Sequence, residues 1–259
     1  MSTVPITIHT SPGRKIYFCS DQHFGAPTLE LSRPREVKFI NWLDSIQQDI
    51  QALFLLGDLF DFWFEYNKVV PKGFTRVLGA LARLSDQGIP IYFFVGNHDL
   101  WMRDYFKEEL GISVFFEPQR FQIDNQLFYI GHGDGLGPGD RGYKMMKKVF
   151  TNSLCNWAFK WLHPDIGVRL AQHLSVKNKL ISGEEDIHFL GEDKEWLIIY
   201  AKELLEQEAI DYFVFGHRHL PMQLTLKNTA KYINLGDWIS HFTYGQYSTE
   251  GFELNTFDD

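Results

Sequence analysis

The chain has 259 residues, 44% of them hydrophobic, and a formal net charge of −8, which excludes global disorder and a general nucleic-acid binder. Only Cys19 and Cys155 are present; Cys19 lies in an apolar run, so no structural disulfide is expected and a reducing cytosol is the expected setting. Met1 to Lys15 lacks the basic-then-apolar pattern of a secretory signal, and no apolar stretch approaches the roughly 20 residues that span a bilayer.

The predicted elements alternate. A strand over 15–20 runs into Asp21-Gln22-His23. A helix is expected near 33–50, where Val37, Ile40, Trp42, Leu43 and Ile46 recur at about helical spacing. Strand 52–57 ends in Gly57-Asp58. A helix near 72–87, carrying Phe74, Val77, Leu78, Leu81 and Leu84, stops at Gly88. Strand 89–95 leads into Gly96-Asn97-His98-Asp99, and a short helix near 101–110 ends at Gly111. Strands near 119–124 and 126–131 flank Asn125 as a hairpin, and the second enters Gly131-His132-Gly133-Asp134. Gly131 to Gly142 holds six glycines and one proline, a boundary signal. A largely helical region follows over 141–207, interrupted at Pro164 and Gly183. Strand 211–215 then ends in Gly216-His217-Arg218-His219. The simplest architecture is an α/β core of residues 1–134 and 208–259 carrying a helical lid insertion at 135–207.

Charge is uneven along this plan. Arg141, Lys144, Lys147, Lys148, Lys160, Arg169, Lys177 and Lys179 face the single acid Asp165 between residues 141 and 181, a local +7 against −15 elsewhere. Such asymmetry points to a local anionic partner.

Five short motifs thus sit at the C-terminal tips of five apolar runs, the edge of an open sheet where sites are built. Their side chains are those that hard divalent cations select. Asp58 is the natural bridge between two ions, since a carboxylate has two oxygens. Asp21 and His23 can share an ion where the strand ends and turns, and His217 and His219 have the same spacing. Asn97 adds a carbonyl oxygen and His132 an imidazole. His98 is the candidate for protonating or stabilising a leaving oxygen. Asp61 and Asp99 are candidates for orienting it or a ligand histidine. Asp61 reads equally well as a helix N-cap, and Asp134 as a turn cap. His9, His163, His173, His188 and His241, outside the motifs, read as structural or solvated.

The order D-x-H, GD, GNH[DE], H and GHxH resembles the calcineurin-like metallophosphoesterase superfamily. The resemblance implies a four-layer αββα sandwich. It also implies that Asp21, His23, Asp58 and His219 hold one ion, and that Asp58, Asn97, His132 and His217 hold the other, usually Mn²⁺. Phosphorus would then be attacked in line by metal-activated hydroxide. The stretch Gly57-Asp58-Leu59-Phe60-Asp61-Phe62-Trp63 is similar to a narrower family, the UDP-2,3-diacylglucosamine pyrophosphohydrolases of lipid A synthesis. That similarity implies cleavage to UMP and 2,3-diacylglucosamine 1-phosphate by a cytoplasmic enzyme peripheral on the inner membrane. His98 departs from that family, whose best-known members have Arg there, and so does the Gly135–Gly139 loop.

For the substrate, Asn97, Asp140, Arg141, Tyr143, Ser175 and Lys177 are candidate contacts, with Lys144, Arg103 and Arg218 as further phosphate partners. Val149, Phe150, Leu154, Trp157, Ala158, Trp161 and Leu162 recur near helical spacing. They fit a lid helix packed on the core with solvated lysines opposite. They fit equally a basic, aromatic lid that admits acyl chains and faces an anionic membrane. A phosphoesterase acting on a soluble substrate and a metal-bound scaffold without activity are the rival readings.

Overall fold

The computed structural model describes residues 4–138, 141–168 and 188–258, with side chains left aside at 141–143 and 146. Among the described residues, strands rich in Phe, Ile, Leu and Val form two six-stranded sheets. One has the order β12(Gly251–Thr256), β11(Thr243–Ser248), β2(Lys15–Cys19), β3(Ile50–Leu56), β4(Ile91–Phe94), β5(Ser113–Phe115). The other has the order β1(Ile6–Ile8), β6(Gln119–Ile123), β7(Gln126–Ile130), β8(Tyr212–Phe215), β10(Lys231–Asn234), β9(Met222–Thr225).

The period-2 side-chain alternation of these strands assigns each residue to a layer. Ile16, Phe18, Phe54 and Leu56 of the first sheet meet Phe121, Phe128, Ile130 and Val214 of the second in one buried cluster. Tyr17, Leu53 and Leu55 point the other way, onto α1(Leu29–Ser45) and α2(Thr75–Asp86). Tyr129, Phe213 and Phe215 point onto α6(Trp196–Leu205). The result is helix, sheet, sheet, helix, the four-layer α/β sandwich expected from the sequence.

The helices bury stripes at helical spacing. Phe39, Trp42 and Leu43 do so on α1, Val77, Ala80, Leu81 and Leu84 on α2, and Leu197, Ile198 and Ala201 on α6. Helix α1 starts four residues earlier than its periodicity suggests, because Thr28 Oγ1 accepts from Leu31 N–H at 3.2 Å as an N-cap. Pro34 therefore lies inside the helix. Gly88 N–H donates to the Ser85 carbonyl with φ +81°, closing α2 where the sequence places its stop. The edge strands β1 and β5 have no counterpart in the sequence reading. Each has three residues, and β1 is fixed by parallel pairing of Ile6 with Phe121.

Beyond residue 138 the chain forms α4(Arg141–Phe150), α5(Ser153–Lys160) and a helical turn at 164–168. The apolar stripe of 149–162 is not one helix. Asn152 Oδ1 accepts from Leu154 N–H at 2.9 Å and from Cys155 N–H at 3.3 Å, starting α5 afresh. This break divides the aromatics. Phe150 and Phe159 pack on Trp101, whose Nε1–H donates to the Phe150 carbonyl at 2.7 Å. Leu154, Trp157 and Trp161 face solvent. Two of the lysines are structural ties: Lys147 pairs with buried Asp134 at 2.7 Å, and Lys144 donates to the Gly137 carbonyl. Helix α6, inside the 135–207 span, packs on the second sheet, so the core layer resumes before residue 207.

Candidate metal centre

Three neighbouring parallel strands in each sheet end at one place. In the first sheet, β2, β3 and β4 run into Asp21 and His23, Asp58, and Asn97 and His98. In the second, β7 and β8 run into His132, and His217 and His219, with β10 parallel beside them. Asp21, His23, Asp58 and His217 have φ between +45° and +66°. Left-handed backbone at non-glycine residues costs about 1–2 kcal/mol each, and such strain gathers where function over-determines the geometry.

The loops also approach each other closely. A Cβ on Gly57 would lie 2.6 Å from His132 Nδ1, and one on Gly216 would lie 2.6 Å from Asp21 Oδ2. Glycine before Asp58 and before His217 is therefore a space requirement.

Each carboxylate has one oxygen pinned and one presented. Asp21 Oδ2 accepts from His217 N–H at 2.9 Å; Oδ1 faces His219 Nε2 at 3.2 Å and His23 Nε2 at 3.8 Å. Asp58 Oδ1 accepts from His98 N–H at 2.8 Å; Oδ2 faces His23 Nε2 at 3.6 Å and His132 Nε2 at 3.5 Å. A third convergence is centred on Asn97 Oδ1, 3.1 Å from His132 Nε2 and 3.0 Å from His217 Nδ1. Donors about 2.0–2.2 Å from a common cation lie roughly 3.0–3.6 Å apart. Most of these separations are of that size, and a single oxygen of Asp58 stands between the two groups.

The donor set fits divalent ions by a second test. Asp21 Oδ1, the oxygen presented to the cage, is buried without a hydrogen bond of good geometry, and a buried carboxylate oxygen left so costs several kcal/mol unless charge compensates it. Burial alone would raise the Asp21 and Asp58 carboxyls. The surrounding imidazoles outweigh it and hold both below the usual range. Burial would likewise lower His132, but Asp58 and Asp21 push it up to about 10. Burial and the neighbouring His132 charge lower His217. The cage is thus a place where added positive charge is favourable. Asp21, His23 and His219 form one possible ligand group, and Asp21, Asp58 and His132 another.

The remaining candidates divide. His98 sits at the rim, its side chain 15% exposed, and its Nδ1–H donates to the Asp61 carbonyl at 2.8 Å. The Asp61 carboxylate lies 3.6 Å from His23 Nδ1 and 3.7 Å from His98 Nδ1. It stands behind imidazoles and is not the N-cap residue of α1, α2, α5 or α6. Asp99 touches backbone, not a ring: it accepts from Gly96 N–H at 2.6 Å and Leu59 N–H at 3.2 Å, tying two ligand loops together. Burial and the nearby Asp58 charge raise its carboxyl. Arg218 is held by Glu195, with Nε 3.1 Å from Oε2 and Nη2 3.2 Å from Oε1. Arg103 reaches Asn67 Oδ1 at 3.3 Å on the exposed surface. Asp140, Ser175, Lys177 and His173 lie outside the described residues, as do the side chains of Arg141 and Tyr143.

A sixth loop was missed. After β10, Leu235-Gly236-Asp237-Trp238 folds against the site, and Trp238 N–H donates to the Asp21 carbonyl at 3.1 Å. Buried Asp237 lies 3.8 Å from His219 Nδ1 and 3.1 Å from His241 Nδ1. The signal was present: an apolar run followed by Gly-Asp, as at Gly57-Asp58.

A cavity of about 520 Å³ opens beside Asp61. Phe24, Leu29, Phe62, Val70 and Phe74 line its core side, and Pro164 and Val168 its other side.

A family model described as calcineurin-like phosphoesterase matches residues 14–221. A protein of Porphyromonas gingivalis named UDP-2,3-diacylglucosamine hydrolase is 36% identical, over 95% of this chain and 98% of its own. One of the same name from Histophilus somni is 25% identical, over 93% and 99%. Among solved structures, the E. coli phosphoesterase Yfce aligns with TM-score 0.46 at 16% identity, over 93% and 92% of the two chains.

Proposed function

The chain belongs to the calcineurin-like phosphoesterase family, and from this premise we propose that it is a di-metal, Mn²⁺-using pyrophosphohydrolase of UDP-2,3-diacylglucosamine. That the chain is a metal-dependent phosphoester hydrolase follows from the family and from its hydrolase relatives. The substrate is the proposal. The observation that carries it is the apolar cavity beginning at Asp61: a phosphodiester that is only polar has no use for Phe24, Phe62 and Phe74 next to the cage.

In this reading Asp21, His23, Asp58 and His219 hold one ion, and Asp58, Asn97, His132 and His217 the other. Ions so held supply Lewis-acid polarisation of a phosphoryl oxygen and a nucleophile at neutral pH. The chain's own groups do the rest. With Nδ1–H kept on the Asp61 carbonyl, His98 in its imidazolium form would give its second proton, on Nε2, to the leaving oxygen and be left neutral. Asp99 keeps the Asn97–His98 turn against the Asp58 loop. The walls of Phe62 and Phe74 exclude water from one side of the reacting phosphate.

We further propose that the insertion beginning at residue 135 and preceding α6 acts as a lid and that its outer face meets the cytoplasmic surface of the inner membrane. Exposed Met145, Val149, Leu154, Trp157 and Trp161 support this, with Lys148 and Lys160 among them. No helix among the described residues is long and apolar enough to cross a membrane.

The test is hydrolysis of UDP-2,3-diacylglucosamine in detergent with Mn²⁺, for wild type, Asp58→Ala and His98→Ala. Release of UMP by wild type, lost in Asp58→Ala, is expected. No UMP release alongside intact hydrolysis of an aryl phosphodiester would leave the phosphoesterase and remove the substrate.

A further inference from the structure

We infer that Asp237 is a positioning residue that fixes the tautomer and orientation of His219, and so controls occupancy of the ion held with Asp21 and His23. The inference rests on the two-ion reading above and adds to it a carboxylate from the sixth loop.

Asp237 is 3% exposed, and its two oxygens have separate tasks. Oδ1 accepts from three consecutive backbone N–H groups, of Ile239 at 2.8 Å, Ser240 at 2.7 Å and His241 at 3.1 Å. This fixes the carboxylate on its own turn. Oδ2 is turned to two imidazole nitrogens, His241 Nδ1 at 3.1 Å and His219 Nδ1 at 3.8 Å. The other ring nitrogen of His219, Nε2, faces Asp21 Oδ1 at 3.2 Å and His23 Nε2 at 3.3 Å. The His219 ring thus spans from a buried carboxylate to the cage. A proton held on Nδ1 by Asp237 leaves the Nε2 lone pair for a cation. At 3.8 Å the Asp237 carboxylate acts on Nδ1–H through its charge.

The arrangement is matched at the neighbouring ligand. His23 Nδ1 faces the Asp61 carboxylate at 3.6 Å, while its Nε2 faces the same cage. Arg35 lies close enough to Asp61 and Asp237 for its charge to act on both. Its Nη2 donates to the His23 carbonyl at 3.0 Å and the Ala26 carbonyl at 2.8 Å. One cation therefore acts by charge on both outer carboxylates and ties down the His23 loop by its hydrogen bonds.

Asp237→Asn is the informative substitution. Its carbonyl oxygen can still accept the three backbone N–H groups, so the turn survives. Its NH₂ group then faces His219 Nδ1 as a donor, which favours the opposite tautomer and places the proton on Nε2. This is the wrong-tautomer effect seen when the aspartate of a serine-protease triad becomes asparagine.

The experiment is calorimetric titration of metal-free protein with Mn²⁺, with Mn²⁺ electron paramagnetic resonance on the same samples. Wild type, Asp237→Asn and His241→Ala are compared. The expected result is two ions on wild type with an exchange-coupled spectrum. Asp237→Asn should retain one ion at near wild-type affinity, lose about 10–100-fold in affinity for the other, and show the spectrum of an isolated ion. His241→Ala, which frees Oδ2 from its second imidazole, should keep both ions. Two ions on Asp237→Asn at wild-type affinity would overturn the inference. So would equal loss of both ions with a lower melting temperature of the metal-free protein, or an equal defect in His241→Ala, since either assigns Asp237 to folding of its loop. Wild type that binds a single ion overturns the two-ion reading itself, and the inference with it.

Discussion

Gly96→Ala tests the claim that the ligand loops are packed as tightly as their ligands require. The added Cβ would lie 2.7 Å from Asp58 N and 2.9 Å from Asp58 Cγ, and closer still to Asp58 Oδ1. Ordinary contact between such atoms begins near about 3.5 Å, so the carboxylate must move by roughly 1 Å. It has no soft direction to move in. Oδ1 is bonded to His98 N–H, and Oδ2 stands 3.6 Å and 3.5 Å from His23 and His132. Metal sites tolerate errors of about 0.2 Å in ligand distance, and a misplacement of about 1 Å can cost roughly 10²-fold in rate. The overpacking itself should destabilise by about 1–3 kcal/mol. Gly79→Ala is the control: it lies in α2 with no atom within 4 Å of the added methyl and should stabilise by about 0.5–1 kcal/mol. Both would be followed by thermal denaturation, bound-metal analysis and Mn²⁺-dependent hydrolysis of bis(p-nitrophenyl) phosphate. Wild-type rate and two bound ions in Gly96→Ala would refute the reasoning.

Three further outcomes are expected. Glu65 is buried and accepts from Asp104 N–H at 2.9 Å, Tyr105 N–H at 3.1 Å and Trp63 Nε1–H at 3.0 Å, so it caps the N-terminus of α3(Tyr105–Leu110). Glu65→Gln should lower stability by about 1–3 kcal/mol in urea denaturation, and an unchanged midpoint would count against that capping role. Asp134 is raised by burial but lowered further by His132 and Lys147, for a net shift below the usual carboxylate value. Its contribution is therefore present above about pH 3.9 and lost as pH falls through its folded value. Lys147→Met should reduce neutral stability and move acid unfolding to higher pH, read by circular dichroism; an unmoved acid limb would contradict the sign. Chelation of Mn²⁺ should lower the melting temperature, since ligand at 100 times its dissociation constant stabilises by about 2.7 kcal/mol; an insensitive melting temperature would argue against binding at the buried cage.

How far the sequence led depended on whether information was local. The residues that converge on the cage were legible because each strand is a short apolar run and its polar residue follows at once; Phe54-Leu55-Leu56-Gly57-Asp58 carries both facts in five residues. Pairing was not legible. Ile6 lies opposite Phe121, and no local pattern connects them. Asp61 and Asp99 were recognised as carboxylates near the site, but their tasks differ by what the fold puts beside them, two imidazoles at Asp61 and two backbone N–H groups at Asp99. The stripe over 149–162 misled because period 3.6 persists across a break, although Asn152, a strong N-cap residue, marked it. Asp237 was overlooked since Gly236-Asp237 brings no histidine of its own, and its partner His219 is 18 residues earlier in the chain.

The two sheets also set the order in which the molecule can become itself. Asp21, His23, Asp58 and Asn97 belong to one sheet, and His132, His217 and His219 to the other. The hydrogen bond from His217 N–H to Asp21 Oδ2 crosses between them. Neither half alone holds either proposed ligand set in full, so tight metal capture should follow sheet docking. The rate at which refolding protein takes up Mn²⁺ is then a clock for closure of the seam where Phe18 stacks on Phe54 and Phe128. A substitution such as Phe128→Ala, buried in that seam, should slow this clock if the seam forms in the folding transition state.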